Sequence, residues 1–296
     1  MKQNNSQLVF RALLKWRSFR LKIFVEGVVV GLLAGVVVLM FRYSLEQAEL
    51  WRARIYQAIS HHFWPSVSWF VVLMLVGCVL SRLRDMEPLA SGSGIPQVKG
   101  ELLGYFRMNW LRIILVKFIG GLLAIGSGLS LGREGPSIQL GAAVGKGISR
   151  KLGRIRTEER YLITAGASAG LAAAFNAPLA GVIFALEELH KNFSGTVLAA
   201  AMGASLAADF VTQQFFGQKP VFSFSALQVL PLRFYLYLVI LGIINGVFGV
   251  GFNRVLVATQ GLIASRLPHR LIPAIPLVLG GFLAWFYPRF WVVDIP

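Results

Sequence analysis

The sequence predicts an all-α polytopic membrane protein whose helices are broken inside the bilayer and whose two parts form an inverted repeat. Three observations carry that prediction. Hydrophobic residues fill 56% of the 296 positions and charged residues only 14%, against roughly 25% charged residues in a soluble domain. Apolar windows recur at residues 24–41, 67–80, 111–131, 161–175, 195–216, 234–257 and 271–286, several of them short of the ~20 residues a full span needs and so expected to be partial. Three Gly- and Pro-rich stretches lie among these windows: Gly92-Ser93-Gly94-Ile95-Pro96, Gly132-Arg133-Glu134-Gly135-Pro136 and Phe175-Asn176-Ala177-Pro178-Leu179-Ala180-Gly181. Each is expected to open a helix.

The first element, residues 1–22, reads as an amphipathic helix on the cytoplasmic surface. Val9, Phe10, Leu13 and Leu14 fall on one side and Arg11, Lys15, Arg17 and Arg20 largely on the other, as in an interfacial helix. The apolar run from Phe24 is too long for a secretory leader, and no small-residue cleavage site closes it. The net charge of +16 comes from basic groups at 2–22, 82–84, 99–112, 146–156, 190–191 and 266–270. Short basic segments between apolar runs follow the positive-inside rule and lack the single stripe of a nucleic-acid binder. They place the N-terminus in the cytoplasm of a multi-pass protein of an inner or plasma membrane. The one cysteine, Cys78, lies in an apolar run, which excludes an internal disulfide or thiolate cluster and points to packing.

The window at 24–41 contains Gly31-x-x-x-Gly35-Val36 and then Phe41, and the window from Phe234 contains Gly242-x-x-x-Gly246-Val247 and then Phe252, at the same spacing. Gly77-Cys78-Val79-Leu80 lines up likewise with Gly280-Gly281-Phe282-Leu283. Small residues four apart also serve ordinary helix packing; the paired order favours a repeat. The first unit is then residues 23–217 and the second 233–296. The first opens from a basic flank and the second reaches one at 266–270, so they cross in opposite directions, the plan of a secondary transporter with a midplane site. The second unit stops after two helices, which predicts a half-built site and a 296-residue chain that does not transport alone.

A helix that begins inside the bilayer offers unbonded N–H groups and the positive end of its dipole to an anion. Ser93, between two glycines, can donate its hydroxyl there or act as an ordinary N-cap. Glu134 is a carboxylate expected at membrane depth, which costs about 2.5–3.5 kcal/mol or more without compensation. The neighbouring helix start offsets part of that cost; pairing with Arg133 is the other reading. Glu187 and Glu188 come near the end of the helix that opens at Pro178, where the dipole disfavours acids, with His190 and Lys191 close by. The stretch from Phe175 to Gly181 reads as structural, Asn176 ending one helix and Pro178 starting the next. Gly141 to Gly147 contains Gly-Lys without Walker spacing, and His61 and His62 lack further ligands at metal spacing.

Taken together and in order, the three Gly/Pro stretches resemble the signature segments of the CLC family of chloride channels and chloride/proton antiporters. The resemblance runs from the first transmembrane helix to the end of the chain. It implies that Ser93 coordinates chloride, in a shell with Gly92, Gly94, Ile95, Arg133 and Gly135. It makes Glu134 the gating glutamate, which occupies an anion site when ionised and swings away when protonated, and Glu188 the internal proton glutamate of the antiporters. Gln97 departs from the glutamate often found after this proline, outside the expected ligand shell. No metal or cofactor is implied; chloride and protons are the transported ions, the bilayer is the setting, and the full-length family member is a homodimer. Later elements should add a Gly-x-Phe-x-Pro helix start and a tyrosine beyond it, and no Gly-x-Phe-x-Pro pattern occurs after Phe234. The rival readings are a passive chloride channel and a non-transporting truncated remnant. An intramembrane enzyme is disfavoured because no nucleophile, metal set or His partner accompanies Glu134.

Overall fold

A computed structural model describes residues 2–59, 63–191, 193–218, 231–266, 272 and 274–286. His61, His62, the connection at 219–230, His269 and Arg270 of the basic group at 266–270, and Pro296 lie outside them. All regular structure among the described residues is helical, in the order α1 (Lys2–Ile59), α2 (Phe63–Met86), α3 (Ile95–Leu103), α4 (Trp110–Gly126), α5 (Glu134–Lys151), α6 (Arg156–Phe175), α7 (Pro178–Phe184), α8 (Gly195–Phe216), α9 (Tyr235–Arg266) and α10 (Ala274–Phe286). Four are long and apolar enough to cross a membrane, over Phe19–Ala58, Trp64–Met86, Gly195–Phe216 and Leu232–Ile263. The shorter α3, α5 and α7 begin within the three Gly/Pro stretches, as expected. α7 continues without interruption into a wider π-type turn, Ala185–His190.

Backbone contact between small residues builds the centre. α5 and α6 cross so closely that a Cβ on Gly141 would strike the Gly166 carbonyl, and one on Gly145 the Leu162 carbonyl. The Gly-Lys segment at 141–147 is thus helix interior, and Lys146 is buried in an ion pair with Glu101. α1 packs on α8 in the same way, with Gly31 against Ala204 and Gly35 against Ala208. Such close approach multiplies dispersion contacts where lipid supplies no hydrophobic drive. Around these seams lies a core that includes Phe41, Leu140, Ala165 and Ala169.

Three expectations are modified. α1 runs unbroken through residue 22 and on to Ile59, so the surface segment and the first span share one helix. Cys78 is exposed on α2, because the packed side of that helix carries Leu73 and Gly77 instead. The second glycine ridge is bare: among the described residues nothing lies within 4 Å of a Cβ placed on Gly242 or Gly246. The other aligned pair does meet, since a Cβ on Gly77 would sit 2.6 Å from Ala274 Cα and one on Gly281 2.6 Å from Leu73 Cδ1.

Candidate anion and proton site

The starts of α3 and α5 converge. Gly94 caps α3 with φ 104°, a left-handed conformation that favours glycine, and this bends Ser93 back onto α5. A Cβ on Gly135 would collide with the Ser93 carbonyl and lie 2.7 Å from Ser93 Oγ; one on Gly94 would lie 2.8 Å from the Gly135 carbonyl. Two helix N-termini, each equivalent to roughly half a positive charge, therefore share one locus with the Ser93 hydroxyl. Pro96 and Pro136 sit in the two opening turns, where a missing N–H costs nothing. At the head of α5 the Arg133 carbonyl accepts from both the Ser137 N–H (3.2 Å) and the Ser137 hydroxyl (2.7 Å).

Gln97 is part of this architecture. Its Oε1 accepts the Gly94 N–H at 3.0 Å and its Nε2 donates to the Ser91 carbonyl at 2.8 Å. A neutral amide does here, by both its ends, what a carboxylate could do only by accepting. Behind the turn lies Lys117 of α4, buried, with Nζ donating to the carbonyls of Ala90 (3.0 Å) and Gly92 (2.6 Å). It lines a cavity of about 200 Å³ with Gly92 and Pro136. The sequence reading missed Lys117, although a lone lysine in an apolar run signals function in a membrane helix.

Glu134 is the first residue of α5, and its side chain is exposed. Burial begins one residue later, at Gly135, where α5 meets Ser93. The expected burial of this acid is thus not found within the chain, because the helix start projects beyond the packed seam. No ion pair holds Glu134 among the described residues, Arg133 included.

Glu188 is placed differently. It sits in the π-type turn, exposed, with Oε1 2.9 Å from Lys99 Nζ. Lys99 comes five residues after Gly94 on α3, about 8 Å of helix rise, so this short helix joins the two acids' surroundings. The Lys99 hydrogen bond and charge, aided by Lys191, hold the Glu188 carboxyl below its ordinary range. Glu187 is exposed beside it. His190 follows, 2.8 Å from Thr164 Oγ1 and kept below its usual value by burial and by Arg160.

In the stretch from Phe175 to Gly181 one helix ends at Asn176 and the next starts at Pro178, as expected. Asn176 ends α6 in a left-handed conformation, accepts from Arg42 (2.8 Å) and donates to the Gly217 carbonyl (3.1 Å). Gly181 lets α7 close on α6, since a Cβ there would stand 2.5 Å from the Ser168 carbonyl.

Comparison with known proteins points one way. A family model described as voltage gated chloride channel matches residues 72–294. The chain is 37% identical over 244 residues to the H(+)/Cl(-) exchange transporter ClcA of Vibrio cholerae, covering 80% of this chain and 52% of that one. It is 35% identical over 262 residues to ClcA of Salmonella arizonae, covering 86% and 55%. The chain thus spans about half the length of the curated relatives it matches. Among solved structures, that of a slow cyanobacterial Cl-/H+ antiporter superposes with a TM-score of 0.81 at 30% identity, covering 93% of this chain and 64% of that one. A CLC-type fluoride/proton antiporter superposes at 0.72 and 25% identity, covering 91% and 65%.

Proposed function

The chain belongs to the voltage-gated chloride channel family, and from that premise we propose that it is part of a chloride/proton antiporter of an inner or plasma membrane, with its N-terminus in the cytoplasm. The observation that carries this reading is the convergence of the α3 and α5 starts at Ser93 and Gly135, with Glu134 alongside. Backbone dipoles and a hydroxyl suit a halide, since they bind a monovalent anion without the strong hold of a full opposite charge. Ser93, Gly92, Gly94, Ile95, Arg133 and Gly135 form the chloride shell in this proposal. Glu134 competes with chloride when ionised and leaves when protonated.

Glu188 supplies protons from the other end of α3. The segments around residues 22–26, 99–101, 146–159 and 187–191 are tied to one another by ion pairs, which gathers basic residues on one face. By the positive-inside rule that face is cytoplasmic, and Glu188 opens to it. The reading further takes residues 23–217 as one inverted unit and 233–296 as the start of the next, and the working assembly as a homodimer.

One observation favours the passive-channel reading: the Lys99 ion pair lowers the proton affinity of Glu188. The two readings separate in liposomes. An outward-directed chloride flux that drives protons uphill supports exchange; chloride flux with no proton movement supports the channel.

A further inference from the structure

On the basic face, away from the chloride shell, a cavity of about 230 Å³ opens between the end of α3, the approach to α4, the end of α5 and the first two turns of α6. Five guanidinium groups line it: Arg107, Arg150, Arg154, Arg156 and Arg160. Two carboxylates share it, and both are committed elsewhere. Glu101 is buried, bonded to Lys146 and to the Met108 N–H. Glu159 takes Arg150, with Nε at 2.6 Å and Nη2 at 3.2 Å. Arg154 pairs with Glu26 of α1. Arg107, Arg156 and Arg160 make no ion pair among the described residues, so three positive charges line the hollow in excess of those its two carboxylates engage.

We propose that this cavity is a binding site for a phosphate monoester. Topology alone requires only that basic residues be on one side of the membrane; it does not require that they converge. Convergence of unpaired guanidinium groups on a concavity is the arrangement that recognises a phosphate, since each planar fork can donate two parallel bonds to its oxygens. Arg156 is already seated, because Gly104 ends α3 with φ 90° and a Cβ there would lie 2.6 Å from Arg156 Nη2. Size and charge narrow the class. The volume falls under the ~300 Å³ at which pockets for drug-sized ligands begin, which fits a headgroup or a small phosphate better than a nucleotide. A monoester carries about −1.5 to −2 at neutral pH, a closer match to three free guanidinium groups than the single charge of a diester.

The ligand has two natural sources, a soluble sugar- or glycerol-type phosphate and the headgroup of an anionic lipid with a terminal phosphate. Only the choice between them rests on the cytoplasmic placement above. The test is a thermal-unfolding titration of the purified protein in detergent with glycerol phosphate, against sodium chloride at equal ionic strength, because a ligand of the folded state raises the midpoint with saturation. In parallel, the protein is reconstituted in nanodiscs containing phosphatidic acid or, at equal lipid charge, phosphatidylglycerol.

A saturable rise with glycerol phosphate identifies a soluble ligand, and a rise confined to phosphatidic acid identifies the lipid; both support the site. The double variant Arg156→Gln/Arg160→Gln should weaken the effective probe by about tenfold or more, the scale of one lost charge-assisted contact. The variant Arg156→Lys/Arg160→Lys, which keeps charge and removes the forks, should bind with intermediate affinity and unfold at the wild-type midpoint without ligand. Stabilisation no greater than that by sodium chloride and phosphatidylglycerol, or equal binding by wild type and both variants, overturns the proposal. Transport is scored separately: binding without exchange sinks the antiport reading and spares this site, and exchange without binding does the reverse.

Discussion

Glu134 and Glu188 flank the same short helix in opposite electrostatic company. Glu134 opens α5, at the positive end of a dipole, with no ion pair among the described residues. Glu188 lies near the end of the α7 helix, at the negative end of a dipole, and is held by Lys99 at 2.9 Å. A carboxylate stabilised by a helix start alone can leave without breaking a salt bridge. One that is ion-paired stays in place and gives up its proton more readily. On the antiport proposal, the contrast suits Glu134 to the moving role and Glu188 to a fixed, acidified one.

The largest expected effect is at Glu134. Glu134→Gln should bring chloride-driven proton transport to background while chloride flux continues, because a neutral side chain carries no proton and vacates the anion position. Paired chloride-electrode and pH recordings from proteoliposomes check this. Retained proton pumping would erase the distinction between the two acids.

Glu188→Gln should stop proton delivery from its own side only, with chloride flux preserved. Persistent stoichiometric exchange would move the relay to Glu187, its exposed neighbour.

The site that Glu134 depends on can be loosened without touching a charge. Gly135→Ala forces a methyl group against the Ser93 carbonyl and should cost about 1–3 kcal/mol through overpacking, with weaker chloride protection in thermal unfolding. Gly132→Ala, where nothing lies within 4 Å, is the control and should stay near wild type. Equal behaviour of the two would mean that the α3 and α5 starts are not in contact.

The smallest effect is a shift rather than a loss. Lys99 lowers the Glu188 proton affinity, so Glu188 takes a proton only at lower pH than an unpaired glutamate. In Lys99→Met the carboxyl rises toward its ordinary value and binds protons at higher pH, which should move the pH dependence of exchange upward. Lys191 stays as a weaker partner, and His190 and Glu187 remain nearby, so the shift is partial. An unchanged profile would show that the ion pair does not set the relay.

What the residues disclosed in advance was local. Gly92 to Pro96, Gly132 to Pro136 and Asn176 to Gly181 mark helix starts through backbone rules that act over a few residues, and α3, α5 and α7 begin there. The apolar windows likewise became α1, α2, α4, α6, α8, α9 and α10, α8 over the same residues and the others with one or both ends displaced. What stayed hidden depends on distant partners. Lys99 looked like one member of a basic cluster until the fold set it against Glu188, 89 positions away. The role of Gln97 needed the turn at Gly94 to exist first.

The same limit governs the two glycine ridges, which read alike at residues 31–35 and 242–246. Gly31 and Gly35 meet alanines of α8, whereas Gly242 and Gly246 meet nothing among the described residues. The spacing says that a ridge is able to pack; it does not name the partner.

The most direct measurement is proton movement against its gradient. Full-length protein is placed in liposomes loaded with chloride, facing low chloride outside at equal pH, and the outer pH is followed after ionophore addition. The account predicts that chloride leaving the vesicles draws protons inward, so the outer solution turns alkaline in the wild type and stays flat in Glu134→Gln. A rapid chloride efflux with no pH change in the wild type would contradict it.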